Sequence, residues 1–174
     1  MKIRAELHLG GPVAHVILVA RPEEKVDHLS MKLAAFAMFH SFGPIVEPSS
    51  DHPSLQGLDL RPDVLVLDEG GDVKVWIECG TVSFNKLDKA VRRFPQARVV
   101  VLKSTWRDAE RLRREMETEV RNSSRIEIWT WPEGSFRLWM SALEEKTELY
   151  GEVNERNFNV TINHTPYAVD LVAL

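Results

Sequence analysis

The sequence lacks most of the features that cross-link a protein, anchor it or give it charge of one sign. It has a single cysteine, Cys79, which excludes an internal disulfide and, among apolar neighbours, is expected in the core. Its 22 Lys and Arg against 26 Asp and Glu give a net charge of −4, so a nucleic-acid partner would need a local basic patch. No apolar run approaches transmembrane length, and the first residues lack the apolar centre of a signal peptide. We therefore expect a cytoplasmic protein without a membrane contact.

Several common catalytic patterns are also missing. The six histidines are scattered without the spacing of a zinc site. No glycine-rich phosphate loop and no serine nucleophile elbow is present.

The pattern of apolar residues predicts one domain over residues 1–174, of α/β (α+β) class, with a mixed central β-sheet flanked by helices. An N-terminal β-hairpin is predicted at residues 2–9 and 14–20, around Gly10 and Gly11, and a C-terminal β-hairpin at 157–162 and 167–172, around His164-Thr165-Pro166. A long helix is expected from Pro22 to about residue 40. Further helices are expected near 83–94, 106–120 and 136–146, and strands at 97–102 and 126–131. This alternation indicates that part of the sheet is parallel.

The most informative local pattern is a hairpin of residues 62–68 and 73–80. If its turn is symmetric about the Gly70-Gly71 bond, Asp63 lies directly across from Glu78. Facing carboxylates repel each other by a few tenths to about 1 kcal/mol, and a bound cation would relieve that repulsion. The alternative is that Asp63 caps a turn or is solvated, and that Glu78 pairs with a nearby lysine.

Several short motifs, in this order along the chain, resemble the YaeQ family of the PD-(D/E)xK nuclease-like superfamily. They are Arg21-Pro22-Glu23-Glu24-Lys25-Val26-Asp27-His28, Pro62-Asp63, Trp76-Ile77-Glu78-Cys79-Gly80, the helix around Lys86 to Ala90, Val99-Val100-Val101, Ile128-Trp129 and Val160-Thr161-Ile162. Together the motifs span nearly the whole chain.

The resemblance implies a restriction-endonuclease-like core that hydrolyses phosphodiesters in nucleic acid with Mg²⁺ or Mn²⁺. In that superfamily an acid on the second core strand and an acid-x-lysine motif on the third face the metal. Asp63 and Glu78 match the two acids, and the backbone carbonyl of Cys79 is the implied third ligand. Oxygen ligands of this kind suit hard divalent cations.

Gly80 stands where the motif has its lysine. Lys86 and Lys89, three residues apart on the following helix, are the candidates to replace it, with Lys89 preferred because it agrees better with the family pattern. The alternative is that both are solvated helix lysines.

The superfamily also often contributes an acid from its first helix. Glu24 and Asp27 match that position, although acids near a helix start also complement the helix dipole without any catalytic role.

A second function remains open at the level of the sequence. The chain can keep the nuclease-like fold as a catalytically inactive module that binds a protein or nucleic acid. The glycine at position 80 and the acidic net charge both favour that alternative.

Overall fold

Two β-sheets, rather than the one central sheet that the pattern predicts, form the framework of the computed structural model, which describes residues 1–174. The strands are β1 (Lys2–His8), β2 (Ala14–Val19), β3 (Ile45–Val46), β4 (Val64–Leu67), β5 (Val73–Cys79), β6 (Arg98–Lys103), β7 (Ile126–Thr130), β8 (Lys146–Asn154), β9 (Asn157–Ile162), β10 (Thr165–Asp170) and β11 (Val172–Ala173). The helices are α1 (Val26–Met38), α2 (Phe84–Arg93), α3 (Trp106–Glu119) and α4 (Ser135–Ala142). None of them is long and apolar enough to span a membrane.

The five-stranded sheet has the order β10-β9-β8-β1-β2 and joins the two ends of the chain. Strand β8 was not predicted, because its start was assigned to the end of a helix that in fact stops at Ala142. Thr147, Leu149 and Val153 are buried between exposed neighbours, which is the two-residue period of a strand. Because β8 pairs with both β1 and β9, it unites the two predicted terminal hairpins in one sheet.

The six-stranded sheet has the order β11-β7-β6-β5-β4-β3. Strands β3, β4 and β5 are antiparallel, whereas β5, β6 and β7 run parallel, which confirms the predicted parallel portion. Helices α2 and α3 connect these parallel strands. Each begins after a residue whose hydroxyl accepts a backbone N–H, Ser83 for α2 and Thr105 for α3.

Helix α1 lies in the main core, between the inner faces of the two sheets. All residues from Leu29 to Met38 are buried, as expected of a helix that is apolar on nearly every side. The helix begins at Val26 rather than at Pro22, so Glu24 precedes it. A second core lies on the other face of the six-stranded sheet, beneath α2 and α3.

The hairpin of β4 and β5 has the register that the turn predicts. Val64 pairs with Ile77 and Leu65 with Trp76, symmetrically about the Gly70-Gly71 bond, before the ladder shifts next to the turn. Asp63 lies just before β4, and its N–H donates to the Ile77 carbonyl at 3.0 Å. The backbone therefore brings Asp63 to the level of Glu78.

The close approach of β8 and β9 at Gly151 generates a first prediction. Gly151 has φ of 137°, and a Cβ there would lie 2.3 Å from the Asn159 carbonyl oxygen. Gly151→Ala should therefore lower the free energy of unfolding by about 1–3 kcal/mol, measured by chemical denaturation. Gly70→Ala is the matched control, since its Cβ would meet only a side-chain oxygen of Asp68. Equal stability of the two variants would contradict the close approach.

Candidate functional site

A charged cavity of about 630 Å³ opens where β5 and β6 end and where α1 and α3 begin. In sheets with parallel strands, ligands commonly bind at the carboxyl ends of the strands. Only two of its 16 lining residues are hydrophobic. Its acidic residues are Glu23, Glu24, Asp27, Asp63 and Asp108, and its basic residues are Arg21, Lys25, Lys32, Lys103 and Arg111.

Asp63 is at the wall of this cavity, between the end of β5 and helix α1. Its Oδ2 accepts the Cys79 N–H at 2.8 Å and lies 3.1 Å from Nε2 of His28. Burial alone would raise the pKa of Asp63, but the hydrogen bond and charge of His28, the Cys79 amide and the charge of Lys32 outweigh burial and lower it. Asp63 is therefore an ionised carboxylate at neutral pH.

His28 is a site residue that the sequence analysis did not single out. Its Nδ1 lies 2.7 Å from Glu24 Oε1, while its Nε2 faces Asp63. With a carboxylate at each ring nitrogen, both hydrogen bonds form only when the ring carries two protons. The spacing of Glu24 and His28, four residues apart, was the available signal.

A buried ammonium group holds Glu24 in place. Lys32, in the middle of α1, is 2% exposed and binds Glu24 and Glu47, each at 2.5 Å. Burial raises the pKa of Glu24, but the hydrogen bonds from Lys32 and the Arg21 amide, with the charges of Lys32 and His28, lower it overall. Glu24 is therefore an ion-pair partner of Lys32, whereas Asp27, the other acid that matched the first-helix position, is exposed at the cavity rim.

Glu78 does not line the cavity. Its Oε1 accepts the Trp76 indole N–H and its Oε2 accepts the Lys86 ammonium, both at 2.7 Å, and the side chain is almost fully buried. Burial raises the pKa of Glu78 to about 7, and Asp63 adds to this effect, whereas Lys86 and Trp76 oppose it.

The expectation that Asp63 and Glu78 share one face therefore needs correction. Their backbone register is as predicted, but Asp63 turns to α1 and the Cys79 amide, whereas Glu78 turns to Trp76 and α2. The physical reason is that Asp63 precedes the regular strand, so its side chain is not bound by the alternation of β4. No three His, Cys, Asp or Glu side chains are arranged to hold a metal ion. The Cys79 carbonyl as a metal ligand stays a prediction.

The structure also changes which lysine lies next to Glu78. Lys86, rather than the preferred Lys89, reaches Glu78, because the first turn of α2 packs against the end of β5. Lys89 instead lies 3.5 Å from Asp59, which is largely exposed. Lys103, at the end of β6, was not considered from the sequence; it lines the cavity and contacts the Gly80 carbonyl.

Comparisons with known proteins give a family from the sequence and the same fold in solved structures. A family model described as YaeQ protein matches residues 13–171. The crystal structure of the YaeQ protein from Xanthomonas axonopodis pv. citri superposes with a TM-score of 0.74 at 16% identity, covering 99% of this chain and 96% of that one. The crystal structure of the YaeQ protein from Pseudomonas syringae superposes with a TM-score of 0.72 at 16% identity, covering 99% of this chain and 94% of that one. Among curated proteins, no sequence matches significantly.

The raised pKa of Glu78 predicts a pH-dependent contribution to stability. A carboxyl whose pKa rises from 4.5 to about 7 on folding stabilises the protein fully below about pH 4.5, and this contribution is lost as the pH rises through about 7. Relative to Glu78→Gln, the wild type should lose up to about 3 kcal/mol over that range, since one pKa unit is about 1.4 kcal/mol.

The measurement is urea denaturation of both proteins at a series of pH values. Glu117→Gln, on the exposed side of α3, is the control and should follow the wild type throughout. A constant difference between wild type and Glu78→Gln would show that Glu78 does not titrate in this range.

Proposed function

The chain belongs to the YaeQ family, and we propose that it uses a PD-(D/E)xK-like fold to bind the phosphate backbone of nucleic acid in the charged cavity, without hydrolysing it. The observation that carries this proposal is the hydrogen bonding of Glu78, whose two carboxylate oxygens accept from Trp76 and Lys86. The acid that the motif would direct toward a metal is therefore bound by two other side chains of the protein.

The order of elements supports the nuclease-like fold. Helix α1 is followed by the antiparallel strands β3, β4 and β5; Asp63 directly precedes the second of these and Glu78 lies on the third. The superfamily places its acids on the same two strands. The chain thus keeps the positions of the motif while its third-strand acid is directed elsewhere.

The residues present do not fit the family's two-acid metal centre. Mg²⁺ and Mn²⁺ take several oxygen ligands around one point. Asp63 offers an ionised carboxylate at the cavity, but Glu78 does not line it and is hydrogen-bonded through both oxygens. This pair therefore offers no hydrolytic step through a shared metal.

The cavity has features that suit a phosphate backbone. Residues of the first turns of α1 and α3 line it, so the positive ends of two helix dipoles lie beside it. Of its five basic side chains, Lys25 and Lys103 form no ion pair and offer their charge to a polyanion, whereas Arg21, Lys32 and Arg111 bind carboxylates of the protein. Its acidic residues are partly neutralised, since Glu24 binds Lys32 and Asp108 binds Arg111.

Binding without a metal is directly measurable. Fluorescein-labelled single-stranded and duplex oligonucleotides, titrated with the protein in EDTA at low salt, should show increased anisotropy that falls as salt is raised. Lys25→Glu, at the cavity, should weaken binding at least about tenfold, whereas Arg137→Glu, on the exposed side of α4, should not. No binding by the wild type, or equal effects of the two substitutions, would refute the proposal.

A second candidate is the Mg²⁺- or Mn²⁺-dependent nuclease that the resemblance implies. One observation favours it: Asp63 and Glu24 both have lowered pKa values and both line the cavity, so two ionised carboxylates face the same space. In that case the metal would activate water and neutralise charge on the phosphate.

Thermal and chemical unfolding with Mn²⁺ separates the two candidates. A nuclease should gain about 2.7 kcal/mol at about a hundredfold excess of Mn²⁺ over its dissociation constant, and should cleave oligonucleotides. Asp63→Asn should gain no stability from Mn²⁺ relative to its own metal-free state and should not cleave oligonucleotides. Glu117→Gln should keep the stability gain and the cleavage. If the wild type binds oligonucleotides but neither gains stability nor cleaves, the binding proposal stands.

A further inference from the structure

Lys103 ends β6 directly beside the position of the missing motif lysine. Strands β5 and β6 are parallel, with Cys79 opposite Leu102, and the Gly80 N–H donates to the Leu102 carbonyl at 2.9 Å. The next residue of β6 is Lys103, whose Nζ donates to the Gly80 carbonyl at 2.5 Å. An ammonium group therefore lies within hydrogen-bond distance of residue 80, although the chain has glycine there.

Lys103 also belongs to the side of the sheet to which Glu78 alternates. Along β6, Val99 and Val101 face the second core, and by alternation Lys103 belongs to the same side. Trp76 and Glu78 of β5 alternate onto this side as well. A lysine in the acid-x-lysine motif stands two residues after the acid and would share its face.

Residue 80 is poorly suited to carry the lysine itself. Gly80 has φ of +74°, a left-handed conformation that side chains rarely adopt. A Cβ at this position would lie 3.2 Å from the Cε atom of Met31. Residue 80 therefore disfavours a side chain, and Lys103 places an ammonium group next to it.

The charge of Lys103 is not compensated by an ion pair. Lys32 and Lys86 each bind a carboxylate, whereas the hydrogen-bond partner of Lys103 is a neutral carbonyl. Burial lowers the pKa of Lys103, Asp108 and Glu115 partly offset that effect, and Arg111 adds to it. A partly buried ammonium group with N–H donors left over is stabilised when an anion binds.

We infer that Lys103 replaces the motif lysine from the neighbouring strand and holds a phosphate oxygen of the nucleic acid in the cavity. This inference rests on the proposed function and names the residue and the ligand group of that site. It differs from the expectation for Lys89 and Lys86, which lie on the following helix. The alternative role of Lys103 is structural, as a hydrogen-bond donor that caps the Gly80 carbonyl.

Two substitutions separate these roles. Lys103→Gln keeps an N–H donor for the Gly80 carbonyl but removes the charge, and Lys103→Arg keeps the charge. Anisotropy titrations in EDTA over a salt series should show at least about tenfold weaker binding for Lys103→Gln. The slope of log K against log salt should also fall by about 0.7, because one contact to a single-stranded phosphate is lost. Lys103→Arg should retain the slope, and Lys89→Met should match the wild type.

The possible outcomes bear differently on the two proposals. If the wild type binds and Lys103→Gln binds with equal affinity and equal slope, the inference is overturned and the proposed function stands. If Lys103→Gln weakens binding without changing the slope, its effect is structural and the inference is likewise overturned. If the wild type binds no oligonucleotide, both fall together. Circular dichroism and thermal unfolding establish that each variant is folded.

Discussion

The ammonium group of Lys32 is the constraint around which this structure is organised. It lies inside a helix that is otherwise almost wholly apolar, between two sheets, and a charge in that position must be neutralised by partners. Glu24 comes from the segment before α1 and Glu47 from the segment after β3. Neutralising one buried charge therefore fixes the approach to α1 and the start of the six-stranded sheet together.

The same charge network builds one wall of the cavity. From Glu24 the hydrogen bonds continue through His28 to Asp63 and on to the amide of Cys79, at the end of β5. Glu47 adopts a left-handed backbone conformation with φ of 48°, and its N–H donates to the Asp63 carbonyl. Such strained residues persist where surrounding contacts determine them and are frequent at functional sites. The position of Asp63 is thus set by contacts from three separate segments.

The parts of the site that depend on local rules were predictable, and those that depend on distant packing were not. Turn symmetry gave the register of β4 and β5, and the two-residue period placed Cys79 in the core. The partners of Glu78 were not accessible, because they depend on how α2 packs onto the sheet. Strand β8 was hidden since its first residues continue a helix-like pattern, and its pairing with β1 is non-local. Lys103 could be recognised as a candidate only from the structure, in which β6 lies beside β5.

The parallel pairing of β1 with β8 also bears on how the protein forms during synthesis. Strand β1 is made first, yet one of its two neighbours in the sheet is made only when most of the chain has left the ribosome. Until then the hairpin of β1 and β2 has an open edge and no complete core beneath it, and an isolated two-stranded hairpin is marginal at best. Closing such a long loop is slow, and unpaired strand edges promote aggregation in the meantime. The open edge of β1 is therefore covered only late in synthesis, when β8 pairs with it.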